Sequence, residues 1–199
     1  MEYLKNIEEV VRNTNQIWKS PPNLKISDWS DRYRKLSPES SAEAGQWRTD
    51  RAEYQREIMD AFNNPSIERI VVMTSSQVGK TEIILNAIGY YIDQDASPIL
   101  ITQPTLAMGQ AFSKDRLSAM IRDSEKLRGC VKDARSRDSH NTTMHKKFAG
   151  GHLTIVGSNS AAGLASRPIR ILLMDEVDRY ELSAGSEGSP VALAIARTK

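Results

Sequence analysis

Two short apolar runs, each stopping at a polar loop, set the plan of the chain. Residues 70–73 (Ile-Val-Val-Met) read as a buried strand ending at Thr74, and residues 80–91 restart as a helix. Residues 171–174 (Ile-Leu-Leu-Met) read as a second such strand, closed by Asp175 and Glu176. Between them Pro98-Ile-Leu-Ile-Thr102 predicts another strand, followed by a helix with Met108, Phe112, Leu117, Met120 and Ile121 on its apolar positions. Residues 142–148 and 152–157 flank Gly150-Gly151 and read as a β-hairpin inserted before the last strand. Strands alternating with helices in this order predict an α/β fold, a mostly parallel sheet flanked by helices.

Ahead of this core the pattern is helical. Residues 2–18 place Leu4, Ile7, Val10, Val11, Ile17 and Trp18 at helical spacing, and Pro21-Pro22 end that helix. A second helix is expected from Ser27, a good N-cap, through Trp29, Tyr33 and Leu36 to Ser37-Pro38. Residues 38–45 are small and polar, so the sequence divides into an N-terminal helical appendage with its linker (1–45) and a core (46–199). The core opens with a helix over residues 50–62 that buries Ile58, Met59 and Phe62. At the other end, residues 191–197 begin a helix that has barely completed two turns at Lys199, which predicts a C-terminally truncated piece of a longer protein.

Composition narrows the class only a little. The 199 residues are 39% hydrophobic and 26% charged, values of an ordinary globular domain that exclude a disordered or membrane-spanning chain. The first nine residues carry acidic side chains and lack a signal-peptide core, which predicts the cytoplasm. A net charge of +2 is compatible with nucleic acid without requiring it. The stretch 126–139, with Arg128, Lys132, Arg135 and Arg137, reads equally as a DNA-facing loop and as a solvated face. Cys130 is the only cysteine, and its spacing to His140, His145 and His152 matches no standard zinc pattern.

The chemistry lies where the two apolar runs end. A strand, a small polar loop and a helix N-terminus form an anion site, because the first helical amides and the dipole face the loop. Ser75, Ser76, Gln77, Val78, Gly79, Lys80, Thr81 and Glu82 fill such a loop in the pattern G-x-x-x-x-G-K-[ST], with Thr74 in place of the first glycine. A β-branched residue resists the backbone angles that glycine permits, so a variant loop path is expected at Thr74. Asp175 follows its strand as a Walker B carboxylate that would hold Mg²⁺, directly or through water. Glu176 would orient and deprotonate the attacking water. Tyr54 and Gln55 precede the loop at a distance that lets their helix fold back over a nucleotide, and the Gln55 amide can donate to and accept from adenine. Arg167 is the first candidate for an arginine on the γ-phosphate and Arg179 the second.

From Trp29 to Arg197 the chain resembles the ATPase part of large terminase subunits of tailed bacteriophages, in the lambda-like branch. The residues carrying the resemblance are Leu36-Ser-Pro-Glu-Ser-Ser41, Trp47-Arg-Thr-Asp50, Tyr54-Gln-Arg-Glu-Ile-Met59, Ser75-Ser-Gln-Val-Gly-Lys-Thr-Glu82, Gln103-Pro-Thr105, Gly163-Leu-Ala-Ser-Arg-Pro168 and Leu173-Met-Asp-Glu-Val-Asp-Arg-Tyr180. The resemblance implies a P-loop NTPase of the RecA/ASCE-like kind that uses ATP and Mg²⁺ to drive double-stranded DNA into a procapsid. It implies a homo-oligomeric ring at the portal protein, a small terminase subunit as partner, and no membrane. Lys80 and Thr81 would then bind phosphates and metal, Asp175 the metal, Glu176 the water, and Tyr54 with Gln55 the adenine. The coupling motif after Walker B and the C-terminal nuclease that such proteins carry do not appear in these 199 residues.

Two other functions fit the same motifs. One is a helicase-like nucleic-acid-dependent ATPase; the other is an interaction module that binds nucleotide without turning it over. The first would continue into a second RecA-like domain, and the second would show binding without hydrolysis in any assembly.

Overall fold

A computed structural model describes residues 24–39, 41, 43–131, 141–165 and 168–198. The helix expected over residues 2–18, most of the charged stretch around Arg135 and Arg137, His140 and Arg167 lie outside the described residues.

Four strands make the main sheet, in the order β4-β5-β3-β6. They are β3 (Ile99–Gln103), β4 (His145–Phe148), β5 (Gly151–Gly157) and β6 (Ile171–Met174). β3 pairs in parallel with both β5 and β6, and β4 pairs antiparallel with β5 as the expected hairpin. Every residue of β3 is buried, which is why its sequence is a continuous run rather than an alternation. Register puts Ile101 beside Ile155 and Leu173, and these three share one hydrophobic cluster. Leu100 and Val156 point to the opposite face, where they pack with Leu164, Ile169 and Ala194.

Helices cover both faces. The larger layer contains α1 (Ile26–Tyr33), α2 (Tyr54–Ala61) and α3 (Lys80–Asp93). It continues with α4 (Leu106–Ala111), a π-helical turn (Phe112–Leu117), α5 (Ser118–Asp123) and α6 (Glu125–Cys130). The π-helical turn joins α4 and α5 without a break and sends Phe112 and Leu117 into the core. On the other face lie α7 (Ala161–Ala165) and α8 (Pro190–Ile195). A two-stranded ribbon, β1 (Lys35–Leu36) with β2 (Gly45–Gln46), follows α1.

Residues 24–33 pack into the same core as the residues after 45; residues 1–23 of the expected appendage lie outside the described residues. Ile26 and Trp29 are fully buried in the same cluster as Ile88 and Ile101. Trp29 sits where α3 has Gly89, a position at which a Cβ would come within 2.2 Å of the indole ring. Its Nε1 donates to Asp93 at 2.9 Å. Ser27 is not the N-cap; it is buried inside the helix, whose first amides donate instead to Asn63 Oδ1 and Asp60 Oδ1 just past and at the end of α2. Long-range capping of this kind satisfies the orphan donors as a local cap would.

The strand expected over residues 70–73 is absent. That segment is irregular, with Val71 81% and Met73 95% exposed. The reason is partnership: β6 is the edge of the described sheet, no ladder reaches residues 70–73, and an apolar run without a neighbour has no hydrogen bonds with which to become a strand.

Candidate functional site

The phosphate-loop sequence and the acidic strand end meet at the N-terminus of α3, although no strand forms before the loop. α3 is 14 residues long and starts at Lys80, with Gly79 as its N-cap in the left-handed region (φ 77°). The strain expected at Thr74 falls elsewhere. Gln77 carries the positive φ (62°), one of two non-glycine residues among those described to do so, and Thr74 does not.

Tyr54 and Gln55 hold this loop from α2. The Tyr54 hydroxyl donates to the Val78 carbonyl at 2.9 Å and the Gln55 amide donates to the same oxygen at 3.0 Å. Gln55 is 2% exposed, and its Oε1 is buried with no partner, so the side chain has one acceptor left to offer. A Cβ at residue 79 would stand 2.5 Å from Gln55 Nε2. Gly79→Ala therefore combines a left-handed backbone, costing about 1–2 kcal/mol for an L-residue, with a clash against the loop's own tie. The expected result is a urea midpoint lowered accordingly; an unchanged midpoint would mean that the loop is not held in this conformation.

Lys80 folds back over the loop, its Nζ donating to the carbonyls of Ser75 (2.8 Å) and Thr74 (3.5 Å). Thr81 Oγ1 lies 3.5 Å from Asp175 Oδ2. Asp175 is nearly buried and is fixed twice more, by its own amide on the Thr102 carbonyl (3.1 Å) and by the Gln103 amide on Oδ2 (3.3 Å). Gln103 belongs to the Gln103-Pro-Thr105 motif, but sequence reasoning gave it no role, because its partner is 72 residues away. Tyr180 closes the same corner by donating to the Thr102 carbonyl at 2.7 Å. Burial, with the Asp175 charge adding to it, pushes the Tyr180 phenol well above its usual range, so it stays a donor.

Glu176 follows Asp175 directly, with a left-handed backbone (φ 50°, ψ 47°). Its Oε2 lies 3.1 Å from Arg179 Nη1, a charge contact without hydrogen-bond alignment. Arg179, the second candidate for the γ-phosphate, is thus engaged with Glu176. A separate cavity of about 390 Å³, lined by Tyr90, Tyr91, Asp95 and Arg170 among others, sits before the starts of β3 and β6 and holds none of these residues.

A hydroxyl and a carboxylate brought together at a helix N-terminus are hard oxygen donors of the kind Mg²⁺ takes alongside nucleotide phosphates, so the residues present fit that ion. Among the described residues no group of three or more His, Cys, Asp or Glu side chains could hold a metal alone.

Comparison with known proteins decides the family. The model of "Phage terminase large subunit gpA, ATPase domain" matches residues 41–199. The chain belongs to this family. Curated relatives include the large terminase subunit of Enterobacteria phage P21, 26% identical over 178 residues. That match covers 89% of this chain and 27% of the relative. The large terminase subunit of Escherichia phage lambda is 27% identical over 171 residues, covering 85% of this chain and 26% of the relative. The chain therefore spans about a quarter of the length of these terminase relatives. No solved structure matches it. No helix among the described residues is long and apolar enough to cross a membrane.

Proposed function

We propose that this terminase ATPase domain binds ATP with Mg²⁺ at the N-terminus of α3 and hydrolyses it as the motor part of a phage DNA-packaging machine. The observation that carries the reading is the meeting of Thr81 and Asp175, 94 residues apart in sequence, at the first turn of the helix that follows the loop. In this reading Lys80 leaves the carbonyls of Ser75 and Thr74 for the phosphates. The amides of residues 77–82 and the α3 dipole stabilise the same charge. Thr81 and Asp175 would hold Mg²⁺, which supplies charge neutralisation on the phosphate oxygens when bound. Glu176 takes the proton of the attacking water. The unpartnered Gln55 Oε1 supports contact with the adenine amino group, a donor, with Tyr54 at its side. Arg167 remains the proposed γ-phosphate arginine on sequence grounds.

Double-stranded DNA, the portal protein and a small terminase subunit are the proposed partners, through a homo-oligomeric ring in the host cytoplasm. These partners are proposed from the resemblance to terminase large subunits, of whose length the chain spans about a quarter. Steady-state phosphate release with Mg²⁺, measured over a protein concentration series with and without double-stranded DNA, tests the motor reading. DNA-stimulated turnover rising faster than linearly with protein supports it. Turnover indifferent to both would remove DNA and assembly from the reaction.

Lys80→Ala tests the loop directly. A hydrogen bond to a charged group contributes about 1.5–3 kcal/mol, so the variant is expected to bind ATP roughly 10- to 100-fold more weakly by calorimetry. Unchanged affinity would take Lys80 out of the site.

A further inference from the structure

One carboxylate in the first turn of α3 is held by two arginines from different parts of the chain. Glu82 pairs with Arg34, which joins α1 to β1, and with Arg116, on the π-helical turn after β3, at 3.2 Å. Arg34 is 2% exposed. One arm of its fork meets the Glu82 carboxylate; the other donates to the Glu82 carbonyl (3.2 Å) and to Asn86 Oδ1 (2.5 Å), one turn further along. Its guanidinium lies over the Trp47 ring, 4.7 Å from the centroid, and its Nε has no acceptor.

A core needs no charge for stability here, since a buried ion pair is often no better than apolar side chains of the same volume. What an arginine adds is geometry: three contacts fix two successive turns of one helix, and lysine, a single point charge, cannot repeat them. It also adds local charge balance. Glu82 stands beside the helix N-terminus that would receive a triphosphate, where an unpaired carboxylate repels it. Two guanidiniums on one carboxylate leave that turn net positive.

We propose that Arg34 is a positioning residue of the nucleotide site. Its fork sets the first turn of α3, and thereby the direction in which Lys80 and Thr81 face a bound triphosphate. The proposal rests on the phosphate-loop reading above, and the experiment separates the two.

Two variants of the full chain are compared with wild type by thermal unfolding and by calorimetric titration with Mg-ATP below their transitions. Arg34→Lys keeps the charge and loses the fork. Arg34→Met combined with Glu82→Gln removes both charges, so neither is left buried alone. A merely structural arginine predicts that the double variant recovers both stability and affinity. A positioning arginine predicts that it recovers stability while Mg-ATP binds about tenfold more weakly, the size of one lost charged hydrogen bond, and that Arg34→Lys shows the same loss. Wild-type affinity in either folded variant overturns the assignment. Lys80→Ala identifies which reading has failed: if it alone loses affinity, only the Arg34 proposal falls, and if it too binds normally, the phosphate-loop reading falls with it.

Discussion

Glu176→Gln is expected to keep Mg-ATP bound and to lose turnover by a factor on the order of 10²–10⁴, the usual contribution of a positioned general base. The amide has the size and hydrogen-bonding reach of the carboxylate but cannot take a proton at neutral pH. The neighbouring Asp175 does not replace it, because its carboxylate is nearly buried and committed to Thr81 and Gln103. Glu176 sits on a left-handed backbone and pairs with Arg179. Single-turnover phosphate release together with equilibrium binding reads both quantities. Normal hydrolysis by the variant would place the base elsewhere.

Trp29→Ala is expected to lower the unfolding free energy by about 3–5 kcal/mol, the range for truncating a fully buried large aromatic. The indole is completely buried against Gly89 and its Nε1 is bound to Asp93, so the truncation opens a void between α1 and α3 and removes the donor to that carboxylate. Single domains hold about 5–15 kcal/mol in total, so the variant loses much of its margin. Leu182→Ala, at a side chain 97% exposed, serves as the comparison and should stay within about 0.5 kcal/mol of wild type. Urea unfolding of both variants checks this. A Trp29→Ala loss as small as that of Leu182→Ala would mean that α1 is peripheral to the core.

Where the sequence was legible, it was so because the signal was local. β3 and β6 are continuous apolar runs, the hairpin is marked by Gly150-Gly151, and α3 begins where the loop pattern ends. Residues 70–73 have the same local signal and no strand, since a ladder depends on a neighbour that the run itself cannot specify. The site divides in the same way. Lys80, Thr81, Asp175 and Glu176 came from residue type and spacing, whereas the contacts of Gln103 and Arg34 reach partners 72 and 48 residues away. Thr74 drew attention as the residue in a glycine's place, yet the backbone carries its positive φ at Gln77. Ser27 had the chemistry of a cap, but it was turned inward by the burial of Trp29 and Ile26 beside it.

The left-handed turn at Glu176 bears on how this chain could be re-engineered. A non-glycine residue in that region gives up about 1–2 kcal/mol that glycine would not. A procedure that ranks substitutions by thermal resistance alone would therefore favour glycine at position 176, and with it discard the carboxylate assigned to the water. Libraries made to harden this protein should hold position 176 constant and seek their gain on the exposed surface around Leu182.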